Sequence, residues 1–147
     1  MVELKMINEA NYQAVCALEV TSEQKSQNII SENADSIAEG RALPKVARPF
    51  AIYADHHVVG FTMFAFDEER DEFWLWRLMI DKEFQGKGYG KAVMPVIIDY
   101  FKNEGVQILK LSTKPENHLA LKLYKDYGFV ETGQRLEQEV ELVLRLV

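Results

Sequence analysis

The chain holds a single cysteine, Cys16, in 147 residues. One thiol permits no internal disulfide and no cysteine-based metal site. Histidine is nearly as scarce. His56 and His57 fall together in a turn, His118 stands near a helix start, and no pair has metal-ligand spacing with carboxylates nearby. No metal is expected; the three histidines read as surface residues and Cys16 as a small core residue. An excess of basic charge is missing too. The net charge of −6 argues against non-specific nucleic-acid binding, which needs a cationic surface. No apolar run approaches the length of a membrane span, and Met1-Val2-Glu3-Leu4-Lys5 lacks the apolar core of a secretion signal. A cytoplasmic protein without nucleic-acid or membrane partners is therefore expected. Repeats, low-complexity segments and linkers are absent as well. The length suits one domain with a real core and is too short for two ordinary ones, so residues 1–147 are expected to form a single domain.

What is present alternates between strand and helix patterns. Val2–Ile7 alternates like a short strand. Asn8 can cap a helix through about Leu18, with Tyr12, Val15, Cys16 and Leu18 on one face. Thr21 or Ser22 starts a more polar helical stretch to about Ala38, and Arg41–Pro49 reads as a loop with two prolines. Phe50–Ala54 and Val58–Phe66 are strands joined at Asp55-His56-His57. Phe73–Ile80 is a third strand, apolar enough to be buried on both faces. Gly88–Glu104 is a helix in which Pro95 should cause a kink or shift the start. Ile108–Ser112 is a strand, Leu119–Tyr127 a helix closed by Gly128, and Phe129–Gly133 and Glu139–Val147 are terminal strands. The order β-α-α-β-β-β-α-β-α-β-β implies a mixed α/β sheet with helices on its faces, antiparallel except for a right-handed β-α-β unit from Phe73 to Ser112.

The densest signal is Gln85-Gly86-Lys87-Gly88-Tyr89-Gly90 between that strand and that helix. Glycines let a backbone approach a ligand without a Cβ in the way. The first N–H groups of a helix lack intrahelical partners and carry positive dipole potential, so phosphate oxygens suit them.

Gln85, Gly88 and Gly90 form the pattern Gln-x-x-Gly-x-Gly, and Leu78-Met79-Ile80-Asp81 precedes it. Asn117, Ala120, Tyr124 and then Gly128-Phe129 follow it. Together these motifs resemble the two acyl-CoA signatures of the GNAT N-acetyltransferase superfamily, and the order of elements agrees over essentially the whole chain. The resemblance implies a mixed, mostly antiparallel, splayed central sheet with helices on both faces. Acetyl-CoA is implied as co-substrate. Leu78, Met79 and Ile80 would flank its pantetheine arm, with a backbone N–H near Met79 or Ile80 as oxyanion donor. Gln85, Gly86, Lys87, Gly88, Tyr89, Gly90 and Lys91 would surround the pyrophosphate. Asn117 would touch the cofactor, and Tyr124 would also serve as general acid. Lys122 and Lys125 read as solvated lysines.

Within the superfamily, Trp74–Asp81, Arg48-Pro49-Phe50 and the segment Glu19–Ala38 resemble bacterial spermine/spermidine acetyltransferases. That implies a small-molecule polyamine acceptor near Glu19, Glu23, Trp76 and Arg77, with Glu32 and Asp35 in the same acidic segment. Other acceptors stay open: an aminoglycoside, an amino acid or a protein N-terminus. So does an acyl-CoA sensor without catalysis. The general base is also open. Some polyamine acetyltransferases use a Glu where this chain has Trp76, which leaves Glu72, Glu19, Glu23 or a water chain. The choice between monomer and homodimer is not readable from the sequence.

Overall fold

The computed structural model describes residues 1–22, 24, 33–42 and 46–146. The elements are β1 (Val2–Met6), α1 (Tyr12–Ala17), α2 (Asn33–Ala42), β2 (Ala47–Ala54), β3 (His57–Asp67), β4 (Glu72–Ile80), α3 (Tyr89–Asn103), β5 (Ile108–Thr113), α4 (His118–Asp126), β6 (Val130–Leu136) and β7 (Glu139–Arg145). They form one seven-stranded sheet in the order β1-β2-β3-β4-β5-β7-β6. Every neighbouring pair is antiparallel except β4 and β5. The result is the expected mixed, mostly antiparallel sheet.

Helices cover both faces because the strands alternate. Ile52, Phe64 and Leu75 point to one side, where α3 supplies Val93, Met94, Ile97 and Phe101. Ala51, Phe61, Met63 and Met79 point to the other, where Val15 of α1 and Ile37 of α2 meet them. The buried Asn33 side chain joins that second layer, donating from Nδ2 to the Val15 carbonyl at 2.8 Å and reaching Met79 Sδ at 3.7 Å.

Local chemistry sets the boundaries. α1 begins at Tyr12 with Asn11 at its N-cap position, three residues later than the expected cap at Asn8, which instead closes the turn before the helix. Asn8 Oδ1 accepts from the Ala10 and Asn11 amides at 2.8 and 3.1 Å, while Asn11 Oδ1 accepts the Asn8 amide at 2.8 Å. This reciprocal pair of asparagines closes the turn that leads into α1. The hairpin is tighter than the expected three-residue turn. Asp55 and His56 both have positive φ, 49° and 70°, and His57 already pairs with Ala54, so the loop has two residues.

Other boundaries differ from expectation. Arg41 and Ala42 finish α2, and β2 begins at Ala47, so the expected Arg41–Pro49 loop is shorter. Pro49 fits inside β2 because β1 ends at Met6, opposite Phe50, so the missing N–H breaks no β1 bond. Ser22 and Gln24 are helical, but most of the expected second helix, including Glu23 and Glu32, lies outside the described residues. α3 runs through Pro95 as one helix, with the proline on its exposed side. Of the nine residues of β4 only Leu75 and Met79 are buried, not the whole strand.

That partial burial has a structural cause. β4 and β5 pair at Phe73↔Leu109 and Trp74↔Lys110, and among the described residues their pairing stops there. Beyond that point β5 continues against β7 and β4 against β3, so a gap opens between them. β4 carries a bulge at the parting, since Met63 faces Arg77 while the next residue, Phe64, faces Leu75. The extra residue is Trp76. The fully buried Thr62 hydroxyl donates to the Arg77 carbonyl at 2.7 Å, which supplies a partner where the ladder is disturbed.

Gly60 keeps the far end of β4 in place. A Cβ at Gly60 would stand 2.4 Å from the Met79 carbonyl oxygen and 2.9 Å from Ile80 Cδ1. Backbone cannot yield as a side-chain tip does, so Gly60→Ala should cost about 1–3 kcal/mol, the usual range for overpacking. Urea denaturation measures this; a variant as stable as the parent would show that β3 and β4 are not in close contact there.

Candidate active site

The gap exposes peptide groups of defined identity. The N–H and C=O of one strand residue point to the same side, and successive residues alternate. Asp81 donates its amide to the Val59 carbonyl at 2.8 Å, and the Met79 carbonyl lies under Gly60, so residues 79 and 81 face β3. Leu78 and Ile80 therefore turn their peptide groups into the gap. The Ile80 carbonyl accepts from Gln85 Nε2 at 2.9 Å. Between the two candidate oxyanion donors read from the sequence, the alternation favours the Ile80 N–H.

A cavity of about 190 Å³ runs from this gap to the glycine loop, with Leu78, Met79, Ile80, Gln85, Gly86 and Gly88 along one side. Tyr89 and Gly90 of α3, and Asn117, Ala120, Leu123 and Tyr124 at and along α4, complete it. Gly86 and Gly88 have φ of 78° and 86°, which L side chains rarely adopt, and nothing lies within 4 Å of where a Cβ would stand. The loop is thus strained for any other residue and open above. Gly90 differs: its missing side chain faces Leu123 Cδ2 at 3.5 Å, where α3 and α4 approach. An open glycine cradle at a helix start fits a pyrophosphate, and the apolar walls beyond it fit a pantetheine arm.

Gln85 has a side-chain role that the sequence did not reveal. Besides the Ile80 carbonyl, its Nε2 donates to Gln24 Oε1 at 3.1 Å and so joins the loop to the segment after α1. Lys87 is exposed, with its ammonium 5.6 Å from the Phe84 ring centroid, and Lys91 is exposed on α3. Lys122 pairs with Asp126 at 2.9 Å and Lys125 with Glu131 at 2.6 Å, as surface lysines do.

Asn117 precedes α4, and its Nδ2 donates to Thr113 Oγ1 at 3.3 Å. Tyr124 lies two turns on, buried, with its ring edge-on to Phe129 at 5.7 Å. Burial pushes its phenol pKa well above the ordinary value, because the charged form would lose its hydration. The group is therefore a neutral donor throughout the physiological range.

A second cavity, about 510 Å³, touches the narrow end of the gap. Trp74 and Trp76 of β4 and Ser112 of β5 form its walls, and Asp67 at the end of β3 with Glu68 and Glu69 of the β3–β4 connection form its rim. Trp76 also packs against the core on the α1/α2 side, opposite the α3 side that Leu78 and Ile80 pack against. The two openings therefore reach the gap from different faces. Arg77 stacks on Trp76, its guanidinium 4.6 Å from the ring centroid. Glu19 is held by Lys82 at 3.0 Å on the exposed surface, and Glu23 lies outside the described residues. Glu72 pairs with Lys110 at the closed end of the gap, which ties up that candidate base. The acidic rim is not among the acceptor residues expected from the sequence, because no local pattern relates Asp67, Glu68 and Glu69 to Trp74 and Trp76. Among the described residues no group of histidine, cysteine and carboxylate side chains could hold a metal, and no helix is long and apolar enough to cross a membrane.

Comparison with known proteins agrees with this geometry. Residues 10–129 match the acetyltransferase (GNAT) family, and the chain belongs to it. Its donor is accordingly acetyl-CoA and its acceptor an amine. A probable spermine N(1)-acetyltransferase of Bacillus subtilis subsp. natto is 29% identical over 140 residues, covering 90% of each chain. Spermidine N-acetyltransferase from Vibrio cholerae, solved with CoA and spermine, superposes with a TM-score of 0.78 at 17% identity, over 99% of this chain and 95% of that one. PaiA N-acetyltransferase from Thermoplasma acidophilum, solved with coenzyme A, gives a TM-score of 0.75 at 15% identity over 99% of both chains. At these identities the two structures speak for the fold.

The buried phenol makes stability depend on pH. The folded pKa of Tyr124 is raised above the unfolded value of about 10. Its contribution is fully present below pH ~10 and is lost as pH rises toward the folded value. Urea denaturation between pH 7 and 11 should show the parent losing stability above pH ~10 more steeply than Tyr124→Phe. Parallel curves would mean that the phenol is not shielded from water.

Proposed function

We propose that this chain transfers the acetyl group of acetyl-CoA to a primary amine of a polyamine such as spermine or spermidine, by direct attack in a ternary complex. The observation that carries the proposal is the pair of openings on the β4–β5 gap. One is apolar with a glycine cradle; the other is walled by tryptophans and rimmed by carboxylates.

Acetyl-CoA, when bound, supplies an activated acetyl thioester. The amides from Gly86 to Lys91 receive the pyrophosphate, with the Lys87 and Lys91 ammonium groups nearby. The peptide groups of Leu78 and Ile80 pair with the amides of the pantetheine arm as a strand would. Ala120 leaves room for that arm, and Asn117 helps to orient it. The Ile80 N–H, a fixed dipole facing the gap, stabilises the oxyanion. Tyr124 gives its proton to the departing sulfur as the C–S bond breaks, and the proton that the attacking nitrogen sheds as the amide forms restores the phenol. Burial keeps the phenol protonated, so the proton is in place when the thiolate departs.

The acceptor is a chain of ammonium groups separated by methylenes. Tryptophan faces suit both, and Asp67, Glu68 and Glu69 offset the charges that remain outside. The attacking amine must first become neutral, and solvent at the acid-rimmed mouth takes its proton. The acidic turn replaces Glu19, occupied by Lys82, as the main source of carboxylates, with Trp76 and Arg77 beside it. The spermine acetyltransferase relative supports this acceptor class.

Free-thiol release with a panel of amines tests the proposal. We expect kcat/KM to fall from spermine or spermidine through short diamines to amino acids. Neutralising the turn together (Asp67→Asn, Glu68→Gln, Glu69→Gln) should raise KM for spermidine roughly tenfold and leave a monoamine unaffected, and added salt should act in the same direction. Better turnover of neutral or anionic amines would remove the polyamine reading and leave acetyl transfer standing. Separately, Tyr124→Phe should lower kcat by roughly 10²–10⁴ with acetyl-CoA affinity nearly intact. Turnover at the parent rate would assign the proton to water.

A further inference from the structure

Pro95 has no N–H, and in an α-helix that N–H would bond to the carbonyl of Lys91, four residues back. The Lys91 carbonyl nonetheless has a donor: the Tyr127 hydroxyl lies 2.6 Å from it. Tyr127 caps the C-terminus of α4, three residues beyond Tyr124, and its own amide donates to the Tyr124 carbonyl at 3.1 Å. A side chain from one wall of the cofactor cavity thus replaces the backbone donor missing from the other.

The consequence reaches the glycine cradle through the backbone. The Lys91 carbonyl shares its peptide unit with the Ala92 amide, which donates to the Gly88 carbonyl at 2.9 Å. The Gly88 carbonyl shares its peptide unit with the Tyr89 amide, the first of the partnerless N–H groups at the start of α3. Hydrogen bonds linked through peptide units polarise one another.

We infer that Tyr127 is a positioning residue for the cofactor: its hydroxyl supplies the bond that Pro95 removes and, through Lys91, Ala92 and Gly88, orients and polarises the Tyr89 amide toward the pyrophosphate. The sequence offers no hint of this, because Tyr127 and Lys91 are 36 residues apart and each is ordinary alone. The inference rests on the cofactor cradle assigned above.

A double-mutant cycle on the full chain tests it. CoA affinity is measured by calorimetry for the parent, Tyr127→Phe, Pro95→Ala and the double variant, with kcat at saturating acetyl-CoA. Losing one such hydrogen bond should weaken CoA by roughly 3- to 10-fold in Tyr127→Phe, while kcat stays within about twofold. Pro95→Ala restores a backbone donor to Lys91. In that background Tyr127→Phe should cost less than about 1.5-fold, a non-additivity diagnostic of shared function. Amide exchange at Ala92 should accelerate in Tyr127→Phe and return to the parent rate in the double variant. Equal weakening in both backgrounds would assign Tyr127 to ring packing and overturn the inference, as would no weakening in the Pro95 background. If Tyr127→Phe does not fold, Pro95→Ala should rescue folding too, and a double variant that stays unfolded overturns it. A parent that binds no CoA removes the cradle itself, and exchange at Ala92 then reads the latch alone.

Discussion

Two strands that should lie side by side part after two residue pairs, and the rest of the site depends on that parting. A sheet interior normally satisfies every backbone donor and acceptor, and leaving such groups without partners in a buried place is costly. Here β3 takes up one edge of β4, helped by the Thr62 hydroxyl at the bulge and by the absent side chain of Gly60. The other edge faces the gap with the peptide groups of Leu78 and Ile80. A molecule that carries amides on a thin chain can complete the ladder there, and a bulky side chain cannot. The recognition proposed for the donor is in this sense unfinished β-sheet.

The N-terminal segment is fixed to the same place by a small set of polar contacts. Asp81 is buried directly after β4, and its Oδ1 accepts the Glu19 amide at 2.7 Å. Glu19 and Lys82 are joined twice, by the Lys82 amide on the Glu19 carbonyl and by the side-chain ion pair. Gln24 and Gln85 add a third link. These bonds tie the chain that follows α1 to the end of β4 and to the glycine loop, so a shift in one is felt by the other. At the opposite end of α3, Arg48 donates to the Tyr100 hydroxyl at 2.6 Å and to Glu104 at 2.9 Å. The helix that begins at the cradle is therefore anchored to β2 at its far end.

Much of this was legible in the sequence, and the reasons differ between parts. The strand–glycine–helix order and the Asn117–Tyr124 spacing are local patterns, so they map directly onto one cavity. The hairpins and the parallel crossover follow from turn chemistry and handedness. Contacts between residues distant in sequence were not legible. Glu72 read as a candidate base until the Trp74↔Lys110 register set Lys110 against it. Gly60 read as one glycine in a strand, because its need for space is set by Met79 on the next strand. Asp67, Glu68 and Glu69 carry no local signal of a site, because their relation to Trp74 and Trp76 depends on how the β3–β4 hairpin folds back. Pro95 read as a source of a kink, since the hydroxyl that replaces its missing N–H comes from another helix.

At the far edge of the sheet, β6 is exposed at every residue. Its pairing with β7 breaks between Glu131 and Arg135, around Gly133 with a φ of 86°. Long straight edges invite other chains to add strands without limit, which is how many sheet proteins aggregate. The break divides this edge into two short stretches, and Glu131 and Arg135 place a charge on each. Gly133 thereby holds the edge that β6 presents to two short runs, each a poor template for a strand from another copy, while β1 forms the sheet's other edge.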